Sequence, residues 1–366
     1  MNNFSLVCYT VLFFTLNLFG EEKYELEVFV DDLDHPWSLV ELSSGDLLLT
    51  ELPGNLKLIS SDGLTITEIG NVPDVLFRGQ GGLSDIILHP DFDNNGWIYF
   101  SYSAYVDDKK ELNTLFVDRA KIKDSKLVSI QNIFKAQAFR KAPAHFGAKL
   151  FFLKDGSLMI TSGDGFDHRE AAQSLDNHFG KVLRINDDGS IPLDNPFIKT
   201  PGALPEIWSF GIRNPQGIFQ IKDGTIFENE HGPRGGDELN ILSKGNNYGW
   251  PEITYGKNYT GTKITNYTHK DGMEQPVIHW TPSIAVCGMD FYDGKVFNNW
   301  KNNLLVTSLK FENLYRLEIR NKKVIKQELI LSAGSRVRDV ETGPDGFIYL
   351  AVEDPGRIIR LRPHKK

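Results

Sequence analysis

Cysteine is nearly absent from this 366-residue chain, which carries only Cys8 and Cys287. Cys8 lies in an N-terminal apolar segment, so removal of that segment leaves one thiol and no intrachain disulfide to staple the fold. Cys287 is poorly placed as a nucleophile, because the stretch Ile284-Ala285-Val286-Cys287 is apolar and reads as core. No Cys-x-x-Cys pair, His-Glu-x-x-His motif or Gly-x-Ser-x-Gly elbow occurs, and no Rossmann glycine fingerprint follows a strand and opens a helix. These absences point away from zinc and nicotinamide chemistry. Basic charge is not in excess either: 40 Lys and Arg face 48 Asp and Glu, a formal net charge of −8. Such a balance offers nothing for nucleic acid or an anionic membrane to hold. Low-complexity linkers and long apolar patterns of 3.6-residue period are missing, so neither a domain boundary nor helices between strands are indicated.

Long hydrophobic runs are also scarce. The one at the N-terminus, Val7 to Phe19, is followed at once by Glu21-Glu22-Lys23. Residues 1–20 therefore read as a secretory signal and 21–366 as a single domain, periplasmic or secreted, without stable membrane insertion after cleavage. The alternative is an uncleaved anchor, for which the run is short.

Glycine and proline, in contrast, are plentiful (33 and 17), and aromatics make up 11% of the residues. They punctuate a repeat of an apolar run, a Gly, Asp or Asn turn, and a second strand-like run. Its six copies centre on Gly45-Asp46, Asn95-Gly96, Asp155-Gly156, Asp223-Gly224, Asn302-Asn303 and Asp345-Gly346. The copies lie roughly 40–80 residues apart, which brackets propeller-blade periods once long loops are allowed. An Asp-Gly or Asn-Gly turn between apolar runs predicts a hairpin in which both turn residues take positive φ. Further strands follow several copies, as at Asn55–Ile59, Lys181–Ile185 and Arg357–Leu361. The expected fold is all-β, a six-bladed β-propeller. Tyr24–Phe29 is expected to join the last blade and close the ring, leaving no free edge.

Sites in propellers form at one mouth of the channel, where loops from different blades meet. His145 stands just before the third copy's first strand, and Asp164 follows that copy's second strand. One hairpin thus brings both to the same end, where Asp164 could hold the His145 imidazole for proton abstraction; a plain turn cap is the alternative for Asp164. Gln80, Arg213 with Asn214, Lys310, and the pair Arg336 and Arg338 occupy comparable ends of other blades. The two arginines alternate on a strand and so point the same way, toward one anion. A cationic mouth on an acidic chain implies a small polyanionic ligand. The segment Glu228-Asn229-Glu230-His231-Gly232-Pro233-Arg234-Gly235-Gly236-Asp237-Glu238 packs carboxylates among turn formers, a combination that suits Ca²⁺ ligation by carbonyl and carboxylate oxygens. Tyr248-Gly249-Trp250-Pro251, Tyr255 and Tyr259 read as turn packing or as a flat wall for a planar cofactor or sugar.

Gly79-Gln80-Gly81-Gly82-Leu83, His145-Phe146-Gly147, Gly163-Asp164-Gly165, Gly211-Ile212-Arg213-Asn214-Pro215-Gln216-Gly217, Glu230-His231-Gly232-Pro233-Arg234-Gly235-Gly236-Asp237-Glu238 and Arg336-Val337-Arg338-Asp339 occur in that order. This series resembles the soluble pyrroloquinoline-quinone (PQQ)-dependent aldose sugar dehydrogenases, relatives of soluble quinoprotein glucose dehydrogenase. The likeness runs from about His35-Pro36-Trp37 to the C-terminal blade. It implies oxidation of an aldose sugar to its lactone, with His145 as general base and Asp164 orienting it. It implies PQQ held by Gln80, Arg213, Asn214, Lys310, Arg336 and Arg338, with Tyr255 and Tyr259 nearby. The carbonyls of Gly232 and Pro233 would carry a catalytic Ca²⁺, and Glu238 with the Tyr248 carbonyl a structural one. Electrons would pass to a separate acceptor, and the protein would be a monomer or weak dimer. Two rival readings are a Ca²⁺-dependent propeller lactonase, which gives no reason for cations at several blade mouths, and a carbohydrate- or protein-binding propeller, which does not require a base.

Overall fold

The computed structural model describes residues 24–364. Its strands form six four-stranded antiparallel sheets arranged as a six-bladed β-propeller. Blade 6 holds β1 (Tyr24–Leu33) at its outer edge; blade 1 follows with β2 (Pro36–Glu41), β3 (Leu47–Glu51), β4 (Asn55–Ile59) and β5 (Ile66–Ile69). Blade 2 comprises β6 (Leu83–Leu88), β7 (Ile98–Tyr105), β8 (Asn113–Lys123) and β9 (Lys126–Lys135). Blade 3 comprises β10 (Gly147–Phe152), β11 (Leu158–Ser162), β12 (Lys181–Ile185) and β13 (Ile207–Phe210). Blade 4 is built from β14 (Pro215–Gln220), β15 (Ile226–Glu230), β16 (Asp237–Leu242) and β17 (Ile278–Trp280). Blade 5 contains β18 (Val286–Tyr292), β19 (Asn303–Ser308), β20 (Asn313–Arg320) and β21 (Lys323–Ser332). The remainder of blade 6 is β22 (Val337–Thr342), β23 (Ile348–Val352) and β24 (Gly356–Pro363).

Each repeat copy read from the sequence is the inner hairpin of one blade. The expected closing strand is present: β1 pairs antiparallel with β24, from Tyr24 opposite Pro363 to Leu33 opposite Gly356. The predicted turn geometry needs one correction. Only the glycine takes positive φ at Gly156 (83°), Gly224 (92°) and Gly346 (81°). The aspartate before it stays at negative φ, and its carboxylate accepts the N–H two residues on, as Asp155 does from Ser157 and Asp223 from Thr225. A side chain that completes the turn removes the need for a second left-handed residue.

Apolar side chains pack into six layers, one between each adjacent pair of blades. Every inner strand also carries a register shift near its mouth end, at Pro36/Ser38, Leu83/Ile86, Gly147/Leu150, Pro215/Gly217, Val286/Met289 and Val337/Asp339. A bulge turns the first residues of a strand away from the regular alternation, which aims them into the channel mouth. Deeper in the channel a buried ionic cluster joins four blades. Lys149 Nζ lies 2.8 Å from Asp85 Oδ1 and 3.1 Å from Asp339 Oδ1, and Ser38 Oγ donates to both aspartates. The reading of residues 1–20 as a signal lies outside the described residues. Among the described residues no helix is long and apolar enough to cross a membrane.

Candidate functional site

His145 precedes β10 on a tight corner, with backbone φ of 50°. Two neighbours hold that uncommon conformation. The His145 N–H donates to Gln80 Oε1 (2.8 Å), and its carbonyl accepts from Arg140 Nη1 (2.8 Å). Arg140 is fully buried with its guanidinium between the rings of Phe146 and Phe179. The imidazole Nδ1 lies 2.7 Å from Asp164 Oδ1. Asp164 makes both contacts at once, since Oδ1 also accepts the Phe166 N–H (2.9 Å) as a turn cap. Its second oxygen accepts from Trp250 Nε1 at 2.8 Å.

Burial works against charge on Asp164, yet the hydrogen bond and charge of His145, with Arg213 beyond, hold its carboxyl below the ordinary range. Burial also pulls His145 below the usual imidazole value; Asp164 opposes this, and the charges of Arg213 and Arg140 add to it. An ionised Asp164 keeps the imidazole proton on Nδ1 and leaves Nε2 as a neutral acceptor. Such a pair can take a proton from a hydroxyl group.

A cavity of about 370 Å³ opens beside this pair, lined by Asp164, Phe166, Arg169, Glu170, Arg213, Pro233, Trp250, Asn258 and Tyr259 among others. Arg213 is its central cation. One nitrogen donates to the carbonyls of His231 (2.8 Å) and Gly232 (3.0 Å); the other lies 3.5 Å from His145 Nε2 and 3.4 Å from the Tyr259 hydroxyl. The carbonyls of the 231–232 turn therefore converge on positive charge. Asp237 does not join them: its oxygens accept from Gly232 N, Ser283 Oγ and Ala285 N, which fixes the turn instead.

Behind the turn, Glu230 pairs with Glu238 and Glu228 with Asn240 across β15 and β16, on one face of blade 4. Burial, with the Asp164 charge and against Arg213, lifts Glu230 to about 8, and burial with repulsion from Glu230 holds Glu228 and Glu238 well above the normal carboxylate range. Glu228 Oε1 and Asn240 Oδ1 have no hydrogen-bond partner. Glu230, Glu238 and Tyr248 line a void of 10 Å³, about the size that admits one water-sized sphere. Glu230 already accepts from Arg213 N and Asn240 Nδ2, but the two buried oxygens left without a donor, beside three carboxylates on one face, fit a hard cation. Among the described residues, no group of three His, Cys, Asp or Glu side chains is already arranged to hold a metal, so any such site relies on carbonyl and amide oxygens as well.

The other expected residues are more dispersed. Asn214 is buried and its Oδ1 accepts from Gly147 N. Arg336 and Arg338 do face one anion, but it is the chain's own Glu353, at 3.8 and 3.0 Å. Lys310 stands over the Phe311 ring at the rim. Tyr255 stacks flat on His279 and does not line the cavity, whereas Tyr259 does. The sequence reading missed Arg140, named Glu228 and Glu230 only as part of one segment suited to Ca²⁺, and treated Trp250 only as turn or wall packing. No local signal marks Arg140, while the aromatic beside a glycine at Gly249-Trp250 was visible without its partner.

The glucose/sorbosone dehydrogenase family profile matches residues 33–360. This chain belongs to that family. The aldose sugar dehydrogenase YliI of Escherichia coli (strain K12) is 41% identical over 344 residues, which cover 92% of each chain. The structure of the soluble aldose sugar dehydrogenase from Escherichia coli in the apo-form superposes with a TM-score of 0.89 at 39% identity, covering 93% of this chain and 100% of that one. The PQQ-bound aldose sugar dehydrogenase from Streptomyces coelicolor gives 0.75 at 26% identity, covering 94% and 99%.

Proposed function

We propose that this chain oxidises the anomeric hydroxyl of aldose sugars to lactones, using PQQ and Ca²⁺. The observation that carries the reading is the buried His145–Asp164 pair, whose Nε2 faces Arg213 beside the cavity that Asp164 and Arg213 line. The pair supplies a base poised in its neutral form, which alcohol oxidation needs and a binding module does not. When bound, PQQ would supply the hydride acceptor, and Ca²⁺ would polarise its quinone carbonyl.

The residues of the chain then divide the work. His145 Nε2 accepts the hydroxyl proton, and Asp164 keeps the ring oriented and balances the charge it acquires. Arg213, Asn214, Gln80, Lys310, Arg336 and Arg338 would meet the carboxylates and quinone oxygens of the cofactor, with Tyr259 beside them. Tyr255, stacked on His279 outside the cavity, would contribute at most through its backbone segment. The carbonyls of Gly232 and Pro233 would hold the cation at the cofactor. Glu238 and the carbonyl of Tyr248 would hold the second, with Glu230 as a carboxylate neighbour. A periplasmic or secreted location follows from the Val7–Phe19 run, and a separate electron acceptor completes the turnover.

The deciding experiment is dye reduction by purified apoprotein with a panel of aldoses, with and without added PQQ and Ca²⁺. Turnover that requires both additions, and is abolished by His145→Ala while PQQ still binds, is the expected result. Failure of PQQ to bind would remove the cofactor assignments together.

A further inference from the structure

Phe166 stands in a conformation that bulky side chains rarely adopt. Its φ is 70°, in the left-handed region, and the ring is 48% exposed although it borders the cavity. Glycine or asparagine would hold this turn with less strain, so an aromatic here stands against the backbone preference. The turn cap explains how it is held. Asp164 Oδ1 accepts both the Phe166 N–H and the His145 ring, so the same carboxylate sets the position of Phe166 and of the imidazole. The Phe166 ring lies edge-on to that imidazole, with centroids 5.1 Å apart at 74°. Any molecule that offers a hydroxyl to His145 Nε2 must therefore lie next to Phe166. The Tyr259 ring, also on the cavity wall, is its nearly parallel neighbour, at 21° and 6.5 Å.

The chemistry around Phe166 distinguishes two occupants. Its own loop brings Asp164, Asp167 and Glu170 to the cavity wall, and Arg169 there is already engaged by Glu170 Oε1 (2.7 Å) and Asn258 Oδ1 (3.3 Å). This wall repels a tricarboxylate but offers acceptors to hydroxyl groups. Positive charge comes instead from Arg213, beside His145 Nε2 and the Tyr259 hydroxyl. A sugar ring has what the Phe166 side requires, with polar hydroxyls at its edge and an apolar C–H face for an aromatic ring.

We propose that Phe166 is the platform on which the aldose ring rests while His145 takes its anomeric proton, with Arg169, Glu170 and Asn258 meeting the remaining hydroxyls. This rests on the aldose dehydrogenase reading above. It makes Phe166 a determinant of sugar affinity and leaves cofactor affinity to Arg213 and the residues grouped with it above.

The test compares wild type with Phe166→Gly and Phe166→Tyr, all reconstituted with PQQ and Ca²⁺. Glycine accepts the left-handed turn, so Phe166→Gly is expected to melt no lower than wild type. Its KM for pyranose aldoses should rise about fivefold, the scale of one lost ring contact, with a smaller effect on kcat. Phe166→Tyr should keep the wild-type KM, and PQQ titration should give the same affinity in all three proteins. Saturation-transfer NMR with glucose should show the sugar C–H signals enhanced by wild type and weakened in Phe166→Gly. An unchanged KM and unchanged NMR contact in Phe166→Gly would overturn the proposal, as would a loss of PQQ affinity that accounts for the change. If wild type binds glucose but does not oxidise it, the NMR comparison still decides the role of Phe166 while the catalytic reading falls. If no aldose binds to wild type, both fall.

Discussion

Replacing Lys149 with methionine removes the cation from the channel cluster while keeping a side chain of similar length. At an effective dielectric of about 20, the 2.8 Å pair with Asp85 is worth about 6 kcal/mol before desolvation is counted. Desolvation offsets much of this in the intact pair, but removing one partner leaves the other charges buried, which costs about 3–5 kcal/mol. With an unfolding entropy of about 2.1 cal/mol/K per residue, a chain of this size should melt about 4–7 °C lower. The pH dependence is more diagnostic. Burial opposes charge on Lys149, but Asp339 and Asp85 raise its pKa above the ordinary lysine value. Its contribution is therefore complete below the unfolded lysine pKa and is lost only as pH climbs through the folded value, so it is constant from pH 5 to pH 8 in wild type. In the variant, the carboxyl of Asp339, already raised by burial, loses its closest cation and rises further. A raised carboxyl destabilises as pH increases through the interval between its unfolded and folded values. The deficit of Lys149→Met relative to wild type should thus be larger at pH 8 than at pH 5. Urea unfolding at both pH values measures it. Equal midpoints for the two proteins, or a deficit that grows on acidification, would refute the argument.

Burial and the nearby arginines keep His145 below the ordinary imidazole value, so the acid limb of kcat/KM should lie below about pH 6.5, with a plateau at neutrality. Trp250→Phe deletes the donor to Asp164 Oδ2; turnover should fall about tenfold and the acid limb should move up, because the less stabilised carboxylate draws the proton more strongly. Arg140→Gln removes a buried charge that disfavours protonated His145, so it too should shift that limb upward in the kcat/KM profile, whereas an unshifted limb would leave Arg140 a purely structural role. Millimolar Ca²⁺ should raise the melting temperature of the PQQ-free protein, and Glu238→Gln should abolish that rise while melting at least as high as wild type without the ion, since one of three facing carboxylates is gone.

The fold was legible because its determinants are local. Each inner hairpin carries its own turn, such as Asp155-Gly156 or Asp345-Gly346, between two apolar runs, and each signal is complete within about ten residues. Part of the candidate site's geometry was legible for the same reason: His145 and Asp164 flank one hairpin, so their proximity follows from pairing alone. What escaped depends on contacts between blades. Trp250 reaches Asp164 across 86 residues, and Lys149 reaches Asp339 across 190. The mouth bulges were equally hidden, because a register shift is a property of two paired strands and neither sequence declares it. Arg338 shows the converse: strand alternation correctly put it with Arg336, but could not say that Glu353 would already be there.

The seam between β1 and β24 has a consequence for how the molecule is made. Residues 24–33 are synthesised before every other described strand, yet their hydrogen-bonding partners are residues 356–363. The last blade cannot exist until synthesis is almost over, and until then blade 1 lacks the neighbour that covers one of its faces. Blades 2 to 5 can form in order behind the growing end, but the circle stays open. Its final step is a single long-range zippering event, and a chain cut short by even its last ten residues would be left as an arc with two unguarded edges.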